Sequence, residues 1–331
     1  MGFSFFYAVC REGAEPLLKA EVAKRHRGLL LPAFMRPQLL TWKAQTPLAA
    51  DFEPDLVFAR NWGFSHGLVP DRAAVALRWK EAMAVEGPAR WDVYPRIVPE
   101  DGVPVEFWSD ADQLRSELPV IPQSPWIGEV IFGEPGEPHL IGSRRLAGSG
   151  PVCPGGIARA TLPADAPSRA WLKAEQAMAW AGWDAADRWV GKSALELGSA
   201  PGGISLALVR RGLHVDAVDP APMNPAVLAE TGPGGAKVRH LKQPVGQLTG
   251  VSQTDLLVSD MNLAPPAVLR YLERLQARVR ARYWIITLKL NDSAMVTRLS
   301  DFRERLARIA PDPVRVVQLP ANRREVTVIA G

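Results

Sequence analysis

The chain is 331 residues long with 47% hydrophobic and 22% charged residues, the mixture of a folded protein with room for two domains and not of a disordered one. Two cysteines, Cys10 and Cys153, exclude a disulfide framework and a four-thiolate zinc site, and five scattered histidines have no ligand spacing, so no metal is expected. Net charge is +4, unevenly spread: residues 1–150 hold 16 bases and 19 acids, the rest 23 and 16, and the second excess suits a polyanionic partner.

In chain order, residues 3–10 read as a strand, 12–25 as a helix with Leu17, Leu18 and Val22 on one face, and 29–35 and 39–44 as strands. The apolar run at 3–9 lacks a basic leader and is too short to span a membrane, and no other run approaches the ~18 residues required. Phe6 stands where a myristoylation signal needs Ser or Thr. No membrane partner and a cytoplasmic location are therefore expected. Residues 55–68 and 72–85 follow as a strand and a helix containing Trp79, with further strands at 90–98, 128–133 and 140–145. Gly and Pro cluster over 148–167, which reads as a linker between an α+β region, 1–147, and a second domain, 168–331.

From Ser168 the pattern is regular. A helix over 168–181, capped by Ser168, precedes strands at 193–197, 214–218, 238–241, 255–259, 283–288, 314–319 and 325–330; helices at 203–211, 225–230, 266–280 and 294–309 alternate with them. Such alternation predicts an α/β fold with an open, mostly parallel sheet; the last two strands, with no helix between them, predict an antiparallel edge hairpin.

The sharpest chemical signal is the run Leu195-Glu196-Leu197-Gly198-Ser199-Ala200-Pro201-Gly202-Gly203, an apolar strand entering a Gly-rich turn and then a helix. Glycine lets a ligand approach the backbone, and a helix N-terminus presents unpaired N–H groups. Asp219 ends the next strand, where a carboxylate can accept from both hydroxyls of a ribose. The spacing G-x-G-x-x-G of a dinucleotide fingerprint is missing. Asp260 and Lys289 close two later apolar strands and so point toward the crevice where such sheets bind ligands. On spacing alone Lys173 and Glu325 read as surface charges.

Taken together, the turn, Asp219 and the ordered set Lys173, Asp260, Lys289, Glu325 resemble the S-adenosylmethionine-dependent 2′-O-ribose methyltransferases of the FtsJ-like superfamily, which use a Lys-Asp-Lys-Glu tetrad. The stretches 155–159, 164–173 and 324–328 are similar to the ribosomal RNA large subunit methyltransferase M family. The likeness covers about residues 150–331 and extends loosely through 7–13 and 56–60 into the first half, where that family has a ferredoxin-like and THUMP-like RNA-binding region. Ala200 stands where the family usually has Cys, and Asn291-Asp292 replace a Pro-containing continuation.

The resemblance implies a Rossmann-like methyltransferase sheet and S-adenosylmethionine held by Gly198, Ser199, Ala200, Pro201, Gly202, Gly203, Asp219 and Asp260. It implies ribosomal RNA, of the 23S type, as partner and substrate. A ribose hydroxyl is a poor nucleophile that must lose its proton as it attacks, so a positioned base is required. Lys289 is assigned that role in its neutral form, favoured by burial beside Lys173 and opposed by Asp260 and Glu325. Arg144 and Arg145, Arg169, Arg210 and Arg211, and Arg323 and Arg324 are expected RNA contacts; Trp171, Trp180, Trp183 and Trp189 fit core packing better than base stacking. Two rivals stay open: a non-catalytic RNA-binding protein retaining the fold, and a small-molecule O-methyltransferase.

Overall fold

The computed structural model describes residues 2–249 and 252–331. The chain divides between Thr161 and Leu162 into two compact units. No helix among the described residues is long and apolar enough to cross a membrane.

The first unit runs β1 (Phe3–Val9), α1 (Glu15–Arg25), β2 (Leu30–Arg36), β3 (Leu39–Leu48), β4 (Asn61–Val69), α2 (Val75–Met83), β5 (Arg90–Pro95), α3 (Val105–Glu117), β6 (Trp126–Phe132) and β7 (His139–Arg145). Its seven strands form one sheet in the order β2-β3-β1-β4-β7-β6-β5, antiparallel except for the parallel pair β5–β6. The strand expected over 55–68 begins only at Asn61. The preceding apolar residues are buried but not in a ladder, because the Glu21 carboxylate on α1 accepts the Val57 and Phe58 N–H groups at 3.0 Å. Helix α3, absent from the sequence reading, buries Trp108, Ala111 and Leu114, three residues apart. The expected linker straddles the division: Gly155 and Gly156 are buried in the first unit, where a Cβ would strike the Tyr94 ring at 2.3 Å and the Arg60 carbonyl oxygen at 2.4 Å.

The second unit runs α4 (Ala170–Ala181), β8 (Ser193–Leu197), α5 (Gly203–Arg210), β9 (His214–Val218), α6 (Pro225–Ala229), β10 (Val238–Leu241), β11 (Ser252–Ser259), α7 (Pro265–Leu275), β12 (Val279–Lys289), α8 (Ser293–Thr297), α9 (Leu299–Ala307), β13 (Val314–Val317) and β14 (Glu325–Ala330). Strand order is β10-β9-β8-β11-β12-β14-β13, parallel up to β12, with β14 antiparallel to both its neighbours. The predicted edge hairpin is β13–β14. Because β8 starts the series and the chain returns to its other side with β11, strand order reverses between them, and the crevice beyond their C-terminal ends is where open α/β sheets bind ligands.

Three local expectations are corrected. Ser168 does not cap α4: Arg169 is the cap residue, and the Ser168 hydroxyl is buried without a hydrogen-bond partner. Helix α7 stops at Leu275, not 280, because Arg278, Arg280 and Arg282 alternate with Val279 and Ala281 in the period of a strand, and β12 starts there. The helix expected over 294–309 is two, α8 and α9, broken at Arg298. All four tryptophans read as core are buried.

Candidate active site

The Gly-rich turn joins β8 to α5 and crosses the sheet at the reversal of strand order. Gly198 takes φ +79°, and a Cβ there would meet Met261 Cα at 2.8 Å, so glycine is what lets this turn touch the one that follows β11. Gly203 opens α5 against Ser168, whose hydroxyl would lie 2.3 Å from an added Cβ. Among the described residues no side chain caps this helix. The hydroxyls of Ser199, in the turn, and of Ser168, against it, are both buried without a hydrogen-bond partner among the described residues.

Asp219, one residue past β9, accepts the Ala200 N–H on Oδ2 at 3.1 Å and the Ala221 N–H on Oδ1 at 2.8 Å. Each oxygen keeps a further lone pair for a ligand hydroxyl. His240, on β10, bonds the Asp219 carbonyl at 2.9 Å and steadies it from the next strand.

Four ionisable side chains, from α4, the residue just past β11, β12 and β14, close into a ring. Lys173 Nζ lies 2.9 Å from Asp260 Oδ2 and 2.7 Å from Glu325 Oε1; Lys289 Nζ lies 3.0 Å from Asp260 Oδ1 and 2.6 Å from Glu325 Oε2. The antiparallel register sets Lys289 directly opposite Glu325, and the Asp260 N–H donates to the Leu197 carbonyl at 3.1 Å, fixing the end of β11 to that of β8. Sequence spacing alone made Lys173 and Glu325 surface charges; the fold brings them to the other two. Burial acts to lower the pKa of Lys289, but Asp260 and Glu325 outweigh it and leave the pKa raised above its ordinary value. The expected neutral amine is therefore not the resting form of this site at neutral pH, because its two carboxylate neighbours hold the proton.

Glu196 lies inside the Gly-rich motif and was not among the expected site residues. Its carboxyl is wholly buried under the turn, accepts the Ser205 hydroxyl at 2.5 Å, and is pushed up to about 8 by burial. A charged residue within an otherwise apolar strand was the available signal. Gln176, one turn beyond Lys173 on α4, was also missed; it accepts the Ala321 N–H at 2.6 Å and so ties the loop that leads into Glu325 to the helix that carries Lys173.

The arginines separate sharply. Arg144 is corrected: its side chain is buried in the first unit between Asp92, at 2.7 Å, and Glu129, at 3.2 Å, and is not available to RNA. Arg145 is half-buried over the Trp126 ring, Arg169 is half-buried at the start of α4, and Arg323 and Arg324 are exposed immediately before Glu325. Arg210 and Arg211 are engaged with acids of their own unit, Asp165 and Glu230 for the first and Glu175 for the second.

The strand order and the Gly-rich turn after its first strand define a Rossmann-like methyltransferase fold. No protein-family profile matches the chain. It is similar to curated proteins named Ribosomal RNA large subunit methyltransferase M. That of Azoarcus sp. (strain BH72) is 33% identical over 218 residues, 61% of this chain and 58% of that protein. That of Thauera aminoaromatica is 34% identical over 181 residues, 53% and 48%, and that of Teredinibacter turnerae 32% identical over 232 residues, 65% and 61%. The resemblance carried by the motifs is thus met by relatives of that name, and the chain spans about half the length of the curated relatives it matches. Among solved structures, TrmN from Thermus thermophilus aligns over 98% of this chain and 99% of its own, with 18% identity and a TM-score of 0.34. Magnesium protoporphyrin IX methyltransferase from Synechocystis PCC 6803 with bound SAM aligns over 49% and 80%, with 15% identity and a TM-score of 0.36.

Proposed function

We propose that the chain transfers a methyl group from S-adenosylmethionine to a ribose 2′-hydroxyl of large-subunit, 23S-type ribosomal RNA in the cytoplasm. The observation that carries this reading is the closed Lys173–Asp260–Lys289–Glu325 ring at the C-terminal edge of the sheet, beside the Gly-rich turn. The relatives' name supports ribosomal RNA as substrate. The unsatisfied hydroxyls of Ser168 and Ser199 and the uncapped α5 fit a polar cofactor held at residues 198–203, with the spare lone pairs of Asp219 on its ribose.

When bound, S-adenosylmethionine supplies an electrophilic methyl group on a sulfonium. The chain's part is to bring the acceptor oxygen into line with that carbon and to remove its proton. Lys289 Nζ would take the proton that the acceptor hydroxyl gives up on methylation. Asp260 and Glu325 orient the amine through bonds at 3.0 and 2.6 Å, and Lys173 offsets their negative charge. Since those carboxylates keep Lys289 protonated, it must release a proton to solvent before each turnover. The exposed Arg324 and the half-buried Arg145 and Arg169 are the proposed phosphate contacts, and the first unit acts as a THUMP-like RNA-binding region.

The test is incubation of the purified chain with methyl-labelled S-adenosylmethionine and large-subunit ribosomal RNA, followed by digestion to nucleosides. Label in a 2′-O-methylnucleoside is the expected result. Label in a methylated base overturns the ribose assignment, and label in a small molecule alone overturns the RNA one.

A further inference from the structure

Strand β5 forms one edge of the first unit's sheet, and beside it lies an open cavity of about 380 Å³ lined by Arg90, Trp91, Asp92, Arg115, Val120 and Val152. Its charges do not balance locally. Arg90 Nε lies 3.1 Å from Asp92, and another of its N–H groups donates to the Val152 carbonyl at 2.8 Å, which fixes its side chain. Asp92 is already shared with the buried Arg144. Arg115 and Arg159 in turn share a single acid, Asp112, and Arg159 lies over the Trp108 ring at 4.7 Å. With Arg144 also held by Glu129, four guanidiniums, three of them partly exposed, meet three acids, which leaves one positive charge in surplus. Burial first, and then the nearby Arg159, lower the pKa of Arg115 against the opposing pull of Asp92. Guanidinium does not escape such crowding by losing its proton near neutral pH, so an added anion is what relieves it.

This positive surplus runs against the sign of its region, since residues 1–150 hold more acids than bases. Val120 and Val152, each 48% exposed, add apolar surface to the cavity rim. Forked donors next to exposed apolar surface suit a phosphate joined to a sugar better than an inorganic ion.

We propose that this cavity is a phosphodiester-binding subsite for RNA, with Arg90 and Arg115 on the phosphate and Val120 and Val152 against the adjoining sugar. The proposal rests on the reading of the chain as an RNA methyltransferase and places part of its RNA contact on the edge of the first sheet. Arg159 holds Asp112 and so leaves Arg115 able to turn toward the ligand.

The full-length chain is titrated with large-subunit ribosomal RNA over a range of salt concentrations, as wild type, Arg115→Gln, Arg115→Lys and Val120→Glu. Arg239→Gln, at an exposed arginine paired with Asp216 in the second unit, is the control. Arg115→Gln should weaken RNA binding about tenfold at fixed salt, the size of one contact of ~1.4 kcal/mol. It should also flatten the plot of log affinity against log salt by about 0.7 for the lost phosphate. KM for RNA should rise with kcat unchanged, Arg115→Lys should restore the salt slope, and Val120→Glu, which breaks no hydrogen bond, should weaken binding in the same direction. The proposal is overturned if Arg115→Gln and Val120→Glu bind as wild type does, if Arg239→Gln loses as much, or if the wild type does not bind the RNA. Salt-sensitive binding that depends on Arg115 without methyl transfer would leave the subsite standing and remove the reaction; methyl transfer by all variants with wild-type KM would do the reverse.

Discussion

In the first unit Glu129 is wholly buried among Tyr7, Asn61 and Arg144, whereas in the second Lys173, Asp260, Lys289 and Glu325 keep 8–16% of their side chains in solvent. Both networks set acids against bases across neighbouring strands. They differ in where on the strands they sit. Glu129 lies in the middle of β6 and is pushed up to about 7 by burial, against the pull of Arg144. The ring lies at the ends of β11, β12 and β14, beside a turn whose polar groups lack partners. A charge network closed on all sides holds a sheet together, and the same residue types at strand ends keep part of their surface in solvent. That difference also explains why Arg144 was misread: nothing in the sequence says whether a basic residue near a strand's end faces solvent or two buried acids.

The comparison is broken most directly by exchanging the two roles. Lys289→Arg keeps the positive charge but removes the only lone pair, since Arg does not accept a proton near neutral pH. Methyl transfer should fall by about 10²–10⁴-fold, the usual worth of a positioned base, with affinity for S-adenosylmethionine nearly unchanged. Single-turnover rates together with calorimetric titration check both halves; near-wild-type turnover would leave Lys289 as an orienting charge only. Arg144→Met should do the opposite. Stripping Glu129 of its cation costs about 3–5 kcal/mol of stability, read as a lower denaturation midpoint, while turnover of the folded fraction stays at wild-type level. A variant of unchanged stability would show that the first network is not structural.

A smaller effect is expected at Asp219. Asp219→Ala removes a charge-assisted acceptor and also frees the Ala200 and Ala221 N–H groups, so cofactor binding should weaken by about 1.5–3 kcal/mol. Calorimetry showing unchanged affinity would take Asp219 out of the site.

Much of this was legible because local pattern and global fold agree in the second unit. Apolar strands of five or so residues, each followed by a turn or helix, gave β8, β9 and β10 at their observed bounds, and the lack of a helix between β13 and β14 gave the antiparallel edge. The boundary errors arose where two periods competed, as at Arg278 to Arg282, which continue a helical run in composition but alternate like a strand. In the first unit the misses came from long-range satisfaction of backbone groups. Val57 and Phe58 look like strand residues, and only the Glu21 carboxylate, 36 and 37 positions away, makes a loop there affordable. At the site, Asp260 and Lys289 were visible as charges closing apolar strands, but Lys173 and Glu325 needed the resemblance, since a helix residue and the first residue of a strand carry no local mark of where they meet. The raised pKa of Lys289 was hidden for the same reason: its sign depends on two carboxylates at 3.0 and 2.6 Å outweighing burial, which only the assembled ring decides.

That sign makes the last and finest test. A base with a raised pKa is mostly protonated at pH 7, so the rate of methyl transfer should climb with pH, tenfold per unit, until it levels near the pKa of Lys289, above the ordinary lysine value of 10.5. Removing one carboxylate lowers that pKa, because a close opposite charge favours the protonated amine by about 1–3 units. Glu325→Gln keeps an acceptor of similar shape opposite Lys289 and drops the charge, so the ascending limb should move toward neutral pH. Its plateau should fall as well, since the amine is held less firmly. The two changes oppose each other: below the limb the variant gains neutral base, and above it the variant shows only the loss of orientation. Rates of wild type and Glu325→Gln, measured with cofactor saturating from pH 6 to beyond the wild-type plateau, should therefore cross as pH falls through the limb and run parallel but displaced below it. Parallel profiles with no displacement would mean that Lys289 does not carry the titrating proton, and that the ring, like the buried network around Glu129, only holds charge in place.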